Sequence, residues 1–187
     1  SASIGTAIHE WMHSWYQGLM GTNESLYAWM DEGFTTYAEL RTSAWLRKDT
    51  TAFAYANAYD SYFRLAKSGK EEPLTTHADH FNTNMAYGQA AYSKGCVFMA
   101  QLGYITGAAV LDKILIAYYN EWKYKHPNPN DFIRVAEKVS GLELDWYKEY
   151  MVNSTRTIDY ALGDVNDVNG KASIVLKRVG LMPMPVD

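Results

Sequence analysis

Two histidines four residues apart with a glutamate beside the first, His9-Glu10-Trp11-Met12-His13, dictate the local structure of the segment that carries them. On an α-helix, positions i and i+4 lie on one face about 6 Å apart along the axis, so one cation can bridge both rings. Neutral imidazole nitrogens suit a borderline-soft ion such as Zn²⁺, and Glu10 shares the face without being needed as a ligand, placed to take a proton from a water on the metal. Alone, such a motif also arises by chance on an amphipathic helix, and two surface or core histidines are then the competing reading. Glu32 adds to the constraint. Eighteen residues separate it from His13, enough for a loop and the return of a second helix. Two histidines and one carboxylate leave a fourth position for water, the open arrangement of catalytic rather than structural zinc. Glu39, seven residues beyond Glu32, falls on the same helix face, where it either accepts a hydrogen bond from a ligating histidine or is an ordinary surface charge.

The rest of the chain supplies helices to build around such a site. Ile4, Ala7, Ile8, Trp11, Met12 and Trp15 recur at helical spacing ahead of Gly18 and Gly21, which predicts a helix over roughly residues 3–17. A second begins near Met30 and runs through Phe34, Tyr37 and Leu40 toward Leu46, before the charged Arg47-Lys48-Asp49. Residues 51–67 read as helix. The polar stretch 68–84, with Gly69 and Pro73, reads as a long loop of the kind that often borders an active site. Further helices are expected over 88–104, 108–123 and 130–151, separated by Gly107 and by the turn His126-Pro127-Asn128-Pro129. Beyond Ser154 the pattern changes to short β-like runs, 157–162 and 172–179, joined by a segment whose Asn169-Gly170 signals a hairpin. That segment lacks the ligand spacing and terminal Glu of a calcium loop. The expected fold is mainly α, with 1–153 as a helical (sub)domain and 154–187 as a β-hairpin tail that starts a following β-rich domain. Trp11, Trp15, Trp29, Trp122 and Trp146 are expected in helix packing, and His77 and His80 as solvated loop residues.

Composition excludes several function classes. A chain of 187 residues, 48% hydrophobic and 20% charged, is of one-domain size and can bury a core. A net charge of -4 without any Lys/Arg cluster predicts no nucleic-acid partner, and no apolar run is long enough to predict a membrane partner. Cys96 is the single cysteine, which rules out an internal disulfide and fits a cytosol or a periplasm equally, so localisation stays open. The first histidine follows Ser1 by only eight positions, with no charged-then-apolar leader, so the chain reads as a fragment of a longer parent with upstream and downstream domains.

The blocks around the candidate ligands carry a resemblance. His9-Glu10-Trp11-Met12-His13-Ser14-Trp15, followed by Trp29-Met30-Asp31-Glu32-Gly33-Phe34-Thr35-Thr36-Tyr37-Ala38-Glu39, resembles the aminopeptidase N and leukotriene-hydrolase family of gluzincins, including that family's eighteen-residue gap. Ala91-Tyr92-Ser93-Lys94-Gly95 is similar to the family's Tyr-x-Lys-Gly, and the resemblance covers most of residues 4–151. It implies the helical half of a thermolysin-like zinc peptidase catalytic domain. It further implies one Zn²⁺ per chain on His9, His13 and Glu32, Glu10 as general base, and a peptide as substrate. Among 15 tyrosines packing is the usual role, and only the following Ser93-Lys94-Gly95 singles out Tyr92 as the family's hydrogen-bond donor to the oxyanion. Tyr87, five residues earlier, is expected on the same wall. Glycyl-aminopeptidase gluzincins share the Glu-Gly-Phe-Thr style of second helix but have a longer gap to the third ligand. A reading of another class also stands, a metal-binding or interaction domain inactive as the isolated chain. It stands because the family's Gly-x-Met-Glu-Asn strand, whose Glu helps bind the free amino terminus of a substrate, has no counterpart among these residues.

Overall fold

The computed structural model describes residues 2–48 and 53–186. Helix α1 (Ala2–Met12) buries Ile8 and packs against α2 (Phe34–Arg47). Between them the chain leaves α-geometry twice. After His13 it runs as a π-helical segment, Ser14–Leu19, with Tyr16 in a non-helical conformation, and a second π-helical turn, Trp29–Gly33, leads into α2. The expected first helix therefore breaks at His13. The second starts at Trp29 and stops where Lys48 takes a left-handed φ of 53°. Of the expected charged break, Asp49 lies outside the described residues, as do residues 51 and 52 of the expected third helix, and α3 spans Ala56–Lys67.

Residues 68–83 are irregular apart from one 3₁₀ turn at Ala78–His80. They are tied down all the same: Leu74 N donates to Val152 O at 2.9 Å and Ala78 N to Ser25 O at 2.8 Å. Thr83 caps α4 (Asn84–Gly88), which passes through a third π-helical segment, Gln89–Lys94, into α5 (Gly95–Thr106). Nearly every residue from Gly95 to Leu102 is buried, so α5 is the central helix, apolar on all sides. Around it α6 (Ala108–Trp122), α7 (Pro129–Ser140) and α8 (Asp145–Met151) complete the helical body. Trp29, Phe34, Phe98, Tyr118, Phe132 and Tyr147 interlock in its core, Trp29 meeting Phe98 edge-on at 4.8 Å and Phe98 stacking on Tyr147 at 5.0 Å.

Two local features decide where elements stop. An Asn128–Asp131 capping box with Pro129 at the first turn starts α7, and Gly141 at φ 73° ends it. The single helix expected over 130–151 is thus two. The tail is a two-stranded antiparallel hairpin, β1 (Tyr160–Val168) with β2 (Lys171–Arg178), turned by Asn169 and Gly170, both at positive φ. The pairing extends through most of the segment that joins the two expected β-like runs. Leu162 opposite Leu176 and Val165 opposite Ile174 make one exposed apolar face, and Met182 beyond the hairpin is buried in the helical core.

Trp29 is fully buried and Trp122 and Trp146 pack against the core, but Trp11 and Trp15 are exposed, Trp11 by 74%. Their helical spacing marks a stripe that the described residues leave uncovered.

Candidate metal centre

The last turn of α1 and the π-helical turn before α2 bring three side chains to one point. His9 Nε2 lies 3.1 Å and His13 Nε2 3.3 Å from Glu32 Oε2. Among the described residues this trio forms the one cluster of His, Cys, Asp or Glu whose ligand atoms all lie within 4.8 Å of one another.

The far nitrogen of each imidazole is occupied. His9 Nδ1 lies 3.2 Å from Glu39 Oε2. His13 Nδ1 lies 2.8 Å from the Tyr16 carbonyl oxygen, 2.9 Å from Asp31 Oδ1 and 3.3 Å from Thr35 Oγ1, and Thr35 also donates to that carbonyl at 3.0 Å. With a proton held at Nδ1 by these acceptors each Nε2 points inward, and loss of the Nε2 proton would leave the tautomer that a metal requires. Asp31, Thr35 and the Tyr16 carbonyl had no signal in the sequence. The carbonyl belongs to no side chain, and Asp31 reaches His13 from within the π-helical turn.

The electrostatics follow from this crowding. Hydrogen bonds to Glu32 and then Glu39 push His9 up to about 9. Burial lifts Glu32, but the bonds from His9 and Tyr92 and the nearby histidine charges outweigh it and hold the carboxylate below its usual range. Burial, and after it the charge of Glu32, raises Asp31 to about 6. Burial and the adjacent Glu32 carboxylate keep the Tyr92 phenol protonated, so it is a hydrogen-bond donor.

Tyr92 stands over the cluster, its ring stacked 5.8 Å from that of His9. Tyr87 meets Tyr92 edge-on at 6.4 Å. Glu10 is exposed, and it lines an open cleft of about 470 Å³ together with Thr6, His9, His13, Glu32, Thr36, Glu39 and Tyr92. All the candidate residues except Tyr87 line this one cleft, with Tyr87 behind Tyr92. His77 and His80 lie together in the 68–83 segment, 4.9 Å apart, where His77 Nδ1 caps the 3₁₀ turn through Asp79 N.

Residues 2–151 match the Peptidase family M1 domain. Aminopeptidase B of Rattus norvegicus is 30% identical over 133 residues, 67% of this chain and 20% of that protein. Leucine aminopeptidase 2 of Chaetomium globosum is 24% identical over 136 residues, 70% of this chain and 22% of that protein. The chain thus spans about a fifth of the length of these relatives. A solved M1 zinc metallopeptidase from Deinococcus radiodurans shares the fold, with a TM-score of 0.65 at 21% identity, over 79% of this chain and 32% of that one.

Proposed function

The chain belongs to peptidase family M1, and from that membership we propose that it carries the zinc-dependent, peptide-hydrolysing centre of a longer aminopeptidase. One observation carries the reading: the Nε2 atoms of His9 and His13 converge on Glu32 Oε2 at 3.1 and 3.3 Å while both Nδ1 atoms face acceptors. Two imidazoles and one carboxylate fit Zn²⁺, one per chain, and the cleft leaves the remaining position open to water. A zinc ion there supplies Lewis acidity, polarising the peptide carbonyl and bringing the pKa of water toward neutrality.

The chain's own residues then have distinct roles. Glu10, exposed at the cleft wall, takes the proton from the attacking water and passes it to the leaving amine. Tyr92 donates its phenol hydrogen to the oxyanion as the carbonyl carbon becomes tetrahedral. Glu39 and Asp31 hold the ligating rings in register, and Tyr87 backs Tyr92.

Glu10→Gln tests the assignment in the full-length protein, because the amide keeps the shape and removes the base. Zinc content is expected to stay at one equivalent while kcat falls by roughly 10²–10⁴-fold. A variant that keeps near-normal turnover removes Glu10 from the role of base.

A further inference from the structure

Lys94 is the buried charge that the proposed chemistry leaves unused. Its side chain is 0% exposed, with Nζ 2.8 Å from Glu71 Oε1, 3.0 Å from the Ser154 carbonyl oxygen and 5.8 Å from the centre of the Tyr62 ring. Desolvating two ions is costly, and well-packed apolar side chains of similar volume usually serve stability as well or better, so a pair of this kind points to a demand on geometry.

The geometry is that of the π-helical segment Gln89–Lys94, which carries both Lys94 and Tyr92. Residues two apart on a helix project to nearly opposite sides. Tyr92 faces the His9 ring and Glu32, while Lys94 faces the interior. Just past the segment, Gly95 lies against Gly33, the residue after Glu32, so closely that a Cβ on Gly95 would stand 2.8 Å from Gly33 Cα. That contact fixes how near the Tyr92 segment comes to the Glu32 turn, on one side of the segment only. Glu71 and Ser154 hold Lys94 in the interior, on the side away from Tyr92. Glu71 is itself anchored, because its segment is tied to Val152 and Ser25 through Leu74 and Ala78.

We propose that the Lys94–Glu71 pair is a positioning device for Tyr92, fixing the rotation of Gln89–Lys94 so that the phenol stays beside Glu32 and over the cleft. The proposal rests on the reading of Tyr92 as oxyanion donor. Lys94 and Glu71 touch no reacting atom, and they act through the segment that bears Tyr92.

Removing one partner alone would strand a buried charge and unfold the protein for unrelated reasons. The test therefore replaces both, as Lys94→Met with Glu71→Leu in the zinc-loaded full-length protein, alone and combined with Tyr92→Phe. Zinc should stay at one equivalent. Amide exchange across Gln89–Lys94 should speed up by roughly tenfold or more while that of α7 is unchanged. The kcat should fall roughly 10- to 100-fold with KM within about twofold, and adding Tyr92→Phe should bring no further loss. Unchanged exchange and kcat in the folded double variant, or an equal loss in the Tyr92→Phe background, overturns the positioning role and leaves that of Tyr92 intact. Full kcat in Tyr92→Phe alone overturns the oxyanion assignment and, with it, the positioning role.

Discussion

Asp31 does for His13 what Glu39 does for His9, and the two carboxylates differ in how readily they can be foreseen. Glu39 is seven residues from Glu32, two helical turns on, so a helical wheel places it on the ligand face. Asp31 adjoins Glu32, and neighbours on an α-helix point about 100° apart, so nothing in the spacing aims it at the site. The π-helical turn Trp29–Gly33 brings its Oδ1 to 2.9 Å from His13 Nδ1, at 8% exposure. Because such partners fix ring orientation and ligand basicity, Asp31→Ala should raise the zinc dissociation constant roughly 10- to 100-fold in competition with a chelator. Asp31→Asn should do less, since the amide oxygen still accepts from Nδ1. His13→Ala removes a proposed ligand outright and should lose the equivalent of metal. An undiminished affinity in Asp31→Ala would mean that the Tyr16 carbonyl, 2.8 Å from the same nitrogen, orients the ring without help.

At the scale of elements, the helices were legible and their defects were not. Apolar periodicity marks α2 and α6 to within a few residues, but the helix expected over 3–17 leaves α-geometry after Met12, and the one expected over 88–104 passes from α4 through a π-helical segment before α5 begins at Gly95. The three π-helical segments, Ser14–Leu19, Trp29–Gly33 and Gln89–Lys94, are invisible to a 3.6-residue period, yet they follow His13, contain Glu32 and contain Tyr92. Trp11 and Trp15 depart from expectation for a related reason, since periodicity shows that a stripe exists but not whether the described chain covers it. The glycines of Glu32-Gly33 and Lys94-Gly95 owe their presence to packing that the sequence alone does not reveal. A Cβ on Gly95 would meet Gly33 Cα at 2.8 Å and the Trp29 carbonyl oxygen at 2.9 Å, both backbone atoms that cannot swing aside. Gly95→Ala should therefore cost about 1–3 kcal/mol, lowering Tm by roughly 2–12 °C. Gly88 is helical, with no atom near its absent Cβ, so Gly88→Ala should instead stabilise by up to about 1 kcal/mol through helix propensity. Equal effects of the two substitutions in thermal melts would show that the Gly33–Gly95 approach is not a close-packed contact.

At the scale of the whole molecule, metal binding and substrate selection separate. The proposed ligands lie on α1 and the turn before α2, inside a helical body with its own aromatic core, so the 187 residues by themselves should bind zinc. At a free zinc concentration 100 times the dissociation constant, binding adds about 2.7 kcal/mol, or roughly 5–10 °C in Tm. Large apolar side chains stay exposed among the described residues. Trp11 and Trp45 are exposed by 74% and 75%, and Leu162, Val165, Ile174 and Leu176 form an exposed face of the hairpin. In relatives more than three times as long as this chain we propose that further domains pack against such faces, with the hairpin as the start of a β-rich unit. Aminopeptidase action asks for an acidic group that holds the substrate's free amine so that the first peptide bond reaches the metal. The carboxylates lining the cleft are all engaged elsewhere, since Glu32 faces both imidazoles, Glu39 lies against His9, and Glu10 is the proposed base. A displacement of about 1 Å can lower the rate roughly a hundredfold. The 187-residue chain should therefore hydrolyse amino-acid anilides far more slowly than the full-length protein, with little preference for a free over an acetylated amino terminus. Assaying both proteins on both substrates decides it, because a strong free-amine preference in the short chain would place the specificity determinant among its own residues.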